Sequence, residues 1–337
     1  MASSNSSSEY IETHSTLFYL NVAQLPLSVL ANAFTYCILR HSTSGFDSVT
    51  KMLLKALTLC YAAYGVGQAI TSLLQIVPMS ANARFTICIY QGVLTFPWFF
   101  VTLTVTCLLN LNRYIMVAKP LRYHHIVTDR RAVVVMSLAI TSSILLAIVG
   151  LPIPKTPSGD FMMNFCKSNM DALKGDFVLI FCVFFLLMAM FTSIVTTSSL
   201  LVIARKQSKA IADGEIAVTA AVSTVNKRKD RNDTSAYAGE EMAATRRQRK
   251  SNRRALLTIF FLNVVVFFSW LPLAIFFVLL GVGVNLPPVF GSVYMFLSMS
   301  TTWWHCLVYL ITNRMFRETA KDVFMKTLRI YCSNTTN

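Results

Sequence analysis

The sequence predicts an all-α membrane protein: a bundle of seven transmembrane helices followed by a short amphipathic helix. The first observation behind this is composition. Of 337 residues, 55% are hydrophobic and only 13% are charged, which is too apolar for a water-soluble chain of this length. The second is length. The apolar residues fall in seven runs, at about 17–39, 52–77, 85–117, 132–151, 177–204, 255–282 and 289–312, each able to cross about 30 Å of hydrocarbon as a helix. The third is the distribution of charge. Arg84, Lys155, Lys167 and Lys174 lie toward one side of the spans, and the rest of the 30 Lys and Arg lie toward the other. The positive-inside rule makes the second side cytoplasmic and puts the N-terminus outside.

That asymmetry accounts for the net charge of +15 without a nucleic-acid partner. A basic cytoplasmic face suits anionic membrane lipids. Of the eight cysteines, Cys37, Cys60, Cys107, Cys182 and Cys306 lie inside apolar runs and read as small buried hydrophobes. Cys88 and Cys166 lie near the outer side.

Residues 1–16 form an extracellular tail that is Ser-rich and free of Lys and Arg, so the first span is expected to act as its own insertion signal. Asn5-Ser6-Ser7 is a glycosylation acceptor triplet. In the first span, Asn32 is polar at mid-membrane depth and should bond between helices. The second span holds no acid, and Tyr61 stands at its centre. Pro97 in the upper half of the third span should kink it or widen the adjacent space.

The third span ends in Asn112-Arg113-Tyr114, then Pro120-Leu121 and Tyr123, then Arg130 and Arg131. A charge as deep as Arg113 is costly and marks a functional position. The fourth span ends at Pro152 and Pro154, and a loop over 152–176 carries Cys166. Thr192, Ser193, Thr196, Thr197, Ser198 and Ser199 fill the lower fifth span and can bond back to helix carbonyls or across helices, with local bonding expected rather than a ligand site. Residues 205–254 form a basic third cytoplasmic loop with no periodic pattern.

The sixth span contains Phe268-Ser269-Trp270-Leu271-Pro272, where Pro272 removes a helix hydrogen bond and creates a lever. The seventh ends in His305-Cys306-Leu307-Val308-Tyr309. Tyr61 and His305 can pair across the second and seventh spans. Over 313–337, Phe316, Ala320, Val323, Phe324 and Leu328 make one apolar stripe beside basic residues, the pattern of an interfacial helix. Cys332 is a candidate for palmitoylation.

The run from Asn112 to Arg131 resembles the third-helix end and second cytoplasmic loop of rhodopsin-like (class A) G-protein-coupled receptors. Asn32, Trp270, Pro272 and Tyr309 match further family positions, so the resemblance covers about 17–328. Several positions depart from the pattern. Asn112 replaces an acid, Tyr61 replaces the sodium-site aspartate, and Ser269 replaces a cysteine. His305 and Cys306 replace Asn-Pro. The fourth-helix tryptophan and the fifth-helix proline and tyrosine are missing. The chain reads as a divergent or orphan member.

The resemblance implies a receptor that carries an extracellular ligand signal to a heterotrimeric G protein, with no enzymatic activity, cofactor or metal. It implies a Cys88–Cys166 disulfide. Asn112, Arg113, Tyr114, Leu121 and Tyr309 would serve G-protein coupling, and Trp270, Pro272, His305 and Tyr61 the activation switch. Gln91, Thr95, Phe96, Phe99, Leu273, Phe277, Met295 and Met299 would line the ligand pocket. The amine-binding aspartate falls at Thr95 and the retinal-binding lysine at Met299, so neither a monoamine nor retinal is expected. An apolar or aromatic small molecule, or a peptide, fits instead. Phosphorylation of the third loop at Ser208, Ser223, Thr224, Thr234 and Ser235 would recruit arrestin.

Two alternatives stay open. One is a chemosensory or orphan seven-helix receptor with weak or no G-protein coupling. The other is a transporter, although no internal repeat is visible and only Arg113 and His305 are ionisable deep in the spans. A membrane enzyme would need converging acids, histidines or a metal set, and His124-His125 has no such neighbours.

Overall fold

The computed structural model describes residues 3–42, 47–74, 81–149, 161–162, 165–166, 183–203, 205–206, 209, 257–258, 260–279, 282, 284 and 288–335. The long helices are α1 (Ser3–His41), α2 (Ser48–Leu74), α3 (Ala81–Ala118), α4 (Asp129–Val149), α5 (Val183–Ile203), α6 (Phe260–Leu279), α7 (Pro288–Thr312) and α8 (Arg314–Thr335). A 3-10 turn, Pro120–Arg122, and a single-turn helix, Tyr123–Ile126, join α3 to α4. Among the described residues, four stretches are long and apolar enough to cross a membrane: Val22–His41, Pro97–Ala118, Val183–Ile203 and Phe260–Leu279.

Two features differ from expectation. The first helix starts at Ser3 rather than near residue 17. Serine favours caps and turns, but adding a residue to an existing helix costs far less than nucleating one, so the helix runs on past its apolar part. The expected all-α loop over 152–176 also contains a small antiparallel ribbon, with Phe161 opposite Cys166 and Met162 opposite Phe165. Two residues per strand are too few for an alternating pattern to be read.

α3 packs on α2 and α4, α1 packs on α2 and α7, and α8 lies against α1 and α7. One apolar cluster joins Phe99, Phe100 and Leu103 of α3 to Leu186, Trp270, Phe277 and Tyr294. A second joins Val101, Val105 and Leu109 of α3 to Ile38, Leu54, Tyr61, Tyr309 and Phe316. α3 therefore runs through both halves of the core. In lipid, apolar side chains gain little by moving inside, so close packing and interhelical hydrogen bonds must hold the bundle. Gly65 shows the packing: a Cβ built there would lie 2.6 Å from Ser28 Oγ.

The polar bonds cross between specific helices. Gln24 on α1 donates to Phe296 O at 3.2 Å, and its Oε1 accepts from Ser300 Oγ at 3.0 Å and Trp303 Nε1 at 3.1 Å on α7. Asn32 Nδ2 donates to Thr302 O at 2.8 Å, the interhelical bond expected of it. Asn110 of α3 donates to Ser193 Oγ at 3.0 Å, and Asn263 of α6 donates to Thr197 Oγ1 at 2.7 Å. The lower α5 hydroxyls thus make both kinds of bond open to them, local and interhelical. Thr192 and Thr196 do bond back to Met188 O and Thr192 O, while Ser193 and Thr197 accept from neighbouring helices. The sequence pattern of α5 alone does not contain the asparagines that recruit them.

Cys60 and Cys306 are buried as expected, and Cys107 is half-buried. Cys37 faces outward from α1 instead, a position that lipid would cover at no polar cost.

Candidate functional site

The site is built where α3 meets the loop that follows it. Apolar neighbours on α3 carry the helix inward, and Arg113 reaches the last turns still 95% buried. A guanidinium cannot lose its proton, so it must find acceptors. Its Nη2 donates to the Tyr309 hydroxyl on α7. Tyr309 is in turn packed on Phe316 of α8, with ring centroids 5.5 Å apart. α8 is fixed below α7 because Asn313 Oδ1 accepts from the Phe316 amide at 3.1 Å, capping the helix start. Arg317 donates to the α7 terminal carbonyls of Leu310 at 3.0 Å and Ile311 at 2.6 Å, which complements the negative end of the α7 dipole.

Asn112 points away from Arg113. Its Nδ2 donates to Thr50 Oγ1 on α2 at 2.9 Å, and its Oδ1 faces the Tyr123 hydroxyl at 3.1 Å. That hydroxyl lies 2.5 Å from Asp47 Oδ2. One phenolic proton faces two oxygens, and the nearer, charged carboxylate is the stronger acceptor. Burial first and then the Asp47 carboxylate push the Tyr123 phenol above the usual phenol range, so it stays a donor. The same Asp47 carboxylate accepts from the Thr50 amide at 3.4 Å, at the N-cap position of α2. The carboxylate missing at position 112 is thus present nearby, contributed by the segment before α2 and directed at the loop tyrosine.

Leu121, on the 3-10 turn, is 96% exposed, while Tyr114 is half-buried. Among the described residues this large apolar side chain has almost no cover, although it stands at a polar end of the bundle.

Deeper in the bundle, Tyr61 and His305 meet as their sequence positions suggested. His305 Nδ1 lies 2.8 Å from Thr301 O; a carbonyl only accepts, so Nδ1 carries the proton and Nε2 is free to accept. Tyr61 Oη lies 3.5 Å from that Nε2, with ring centroids 4.7 Å apart. Above them Trp270 is buried, with Phe99 against it edge-on at 5.2 Å and Tyr64 at 6.3 Å. Pro272 lies half-buried on α6, directly before the buried Leu273 and five residues before the buried Phe277.

Of the residues expected to line a ligand pocket, Phe99, Leu273 and Phe277 share one core cluster, and Thr95 and Met299 are also buried. Thr95 Oγ1 has no hydrogen-bond partner among the described residues. The side chains of Asn5, Cys88, Gln91, Phe96, Cys166, Met295 and Cys332, and all of Ser208, Ser223, Thr224, Thr234 and Ser235, lie outside what the structure describes. Sequence reasoning missed Asp47, Thr50 and Gln24. Asp47 before Ser48-Val49-Thr50 carries a helix N-cap signal, but nothing local links it to Tyr123.

Residues 31–309 match the family 7 transmembrane receptor (rhodopsin family). The chain belongs to that family. No curated protein gives a match. In this receptor the end of α3 that carries Arg113 is the site described above, and Tyr61 of α2 meets His305 of α7 in the interior. Among the described residues the receptor's regular structure is helical apart from the small ribbon, and the class to which it belongs is a signalling one rather than an enzymatic one.

Proposed function

We propose that the receptor passes an extracellular ligand signal to a heterotrimeric G protein that docks at the Arg113 end. The observation that carries this is one arrangement: a buried arginine held by a tyrosine hydroxyl from another helix, and, on the turn that follows the arginine's helix, a leucine that is 96% exposed. Ligand binding at the opposite end shifts the population toward a state in which α6 swings outward about Pro272. Arg113 then exchanges Tyr309 for the G protein, and Leu121 enters an apolar pocket on it.

In this reading the chain crosses the plasma membrane seven times. Its N-terminus lies outside and its C-terminus, with α8 on the membrane surface, lies inside. Cys88 and Cys166 form a disulfide, Asn5 is glycosylated, Cys332 is palmitoylated, and the phosphorylated third loop recruits arrestin. The ligand is an apolar or aromatic small molecule or a peptide. Thr95 and Met299, at the family's charged ligand positions, carry no charge, which argues against a monoamine or retinal.

A second reading is a receptor with weak or no coupling. Asn112, engaged with Thr50 and Tyr123 rather than with Arg113, favours it. Guanine nucleotide exchange on purified G protein, with the receptor and with Arg113→Ala, decides between them. Coupling predicts exchange that Arg113→Ala abolishes while surface expression holds. No exchange with any G-protein class, in the presence of a ligand shown to bind, supports the second reading.

A further inference from the structure

Two hydroxyls of α5 each take an asparagine from a different neighbour. Asn110 of α3 donates to Ser193 Oγ at 3.0 Å, and Asn263 of α6 donates to Thr197 Oγ1 at 2.7 Å. Ser193 and Thr197 are four residues apart, so one stands a turn above the other on the same face of α5. Asn110, Ser193 and Asn263 are buried and Thr197 is half-buried. The two bonds connect α6 to α3 in series, with α5 as the middle member.

The position of Asn263 gives this series a mechanical consequence. It lies nine residues before Pro272, which is about 13 Å along the helix axis. A tilt of about 10° at Pro272 would carry it roughly 2 Å, and a 2.7 Å hydrogen bond does not survive a stretch of that size. Nor does α5 follow α6 without cost, because Ser193, one turn above Thr197, is tied to α3. Outward movement of α6 therefore breaks one bond or the other. Asn263–Thr197 breaks if α5 stays, and Asn110–Ser193 breaks if α5 goes along. The adjoining Leu200, Leu262 and Val266 are buried, and an amide among apolar side chains costs most when it loses its partner.

We propose that Asn110, Ser193, Thr197 and Asn263 form a polar latch that holds α6 to α3 through α5 and sets the fraction of receptor that opens without ligand. The latch rests on the proposed outward swing of α6. It is a series device, so breaking either bond releases it, and breaking both gains little more. Four side chains that only glued the bundle together would not share that property.

The test reads α6 directly, by fluorine NMR of the full-length receptor with trifluoromethylphenylalanine at Leu257, which is exposed just before α6. A moved α6 gives a second signal whose area reports the open fraction. Asn263→Leu and Asn110→Leu should each raise the ligand-free open-to-closed ratio about 3- to 18-fold, the equivalent of one interhelical hydrogen bond in a membrane. Thr197→Val should reproduce Asn263→Leu, and Thr197→Ser, which keeps the hydroxyl, should stay at the wild-type ratio. The double variant Asn110→Leu with Asn263→Leu should exceed the larger single effect by no more than about twofold, because it only adds a second route to opening. Should Asn110→Leu fail to fold, Ser193→Ala removes the same bond from the α5 side. An unchanged ratio in Asn263→Leu or Thr197→Val, a Thr197→Ser that opens as far as Thr197→Val, or a double variant in which the single effects multiply would overturn the proposal. The fluorine signal needs no G protein, so variants that open α6 yet drive no nucleotide exchange leave the latch standing and count only against coupling.

Discussion

Asp47 and Tyr123 are joined carboxylate to phenol at 2.5 Å, and through that bond the segment before α2 holds the loop after α3. The same carboxylate caps α2 through the Thr50 amide. Removing its charge should loosen both. Asp47→Asn is expected to lower unfolding stability by about 1–2 kcal/mol, the loss of a charged cap and a charge-assisted bond. Thermal unfolding of purified receptor measures it, and an unchanged Tm would sink the argument.

The pairing also reverses the usual expectation for position 112. An aspartate there would set two carboxylates around one phenol, and like charges at that range repel. Asn112→Asp should therefore destabilise the receptor, and Asp47→Asn added to it should recover the loss. A double variant weaker than either single one would contradict this.

Tyr61 and His305 fill the interior where the family's sodium site would lie. With no carboxylate at position 61, exchanging sodium for potassium at constant ionic strength should leave the Tm unchanged. Tyr61→Phe should cost about 0.6–1.7 kcal/mol, the range for interhelical hydrogen bonds in membranes. Little further loss should follow when His305→Phe is added to it. A sodium-dependent Tm would show that another acid serves the site.

At Gly65, α2 packs closely against Ser28 of α1. Gly65→Ala would press its methyl on Ser28 Oγ and should destabilise by about 1–3 kcal/mol. Ser28→Ala should recover part of that loss, because Ser28 Cβ itself lies 3.3 Å from the added atom. Full tolerance of Gly65→Val would mean that the two helices separate without cost.

Leu121 makes a prediction of the opposite kind. Because it is 96% exposed, Leu121→Asp should change stability by no more than about 0.5 kcal/mol. Under the proposed function it should nevertheless weaken nucleotide exchange on the G protein. Loss of exchange together with loss of surface expression would assign the leucine a structural role.

The end of α3 was legible because its information is local. Arg113, Leu121 and Tyr123 stand in one short run, and a buried charge at the end of an apolar run draws notice in any sequence. The Tyr61–His305 pair was legible for another reason: two polar residues at matching depth in apolar spans must find each other or go unsatisfied. Asp47 was not, because its partner lies 76 positions away and only loop placement brings them together. The two asparagines that bridge to α5 were hidden too. Periodicity says which face of a helix is polar but not which neighbour turns toward it.

The clasp between α1 and α7 bears on the order in which the chain is made. Gln24 and Asn32 leave the ribosome first, yet their partners on α7 lie 270 to 279 positions later. At about 5–20 residues per second, roughly 15–55 s pass before α7 exists. Through that interval two amides on α1 sit in or near the bilayer without their final acceptors. The first helix to be inserted is thus among the last to be satisfied, and the bundle closes only when its two ends meet.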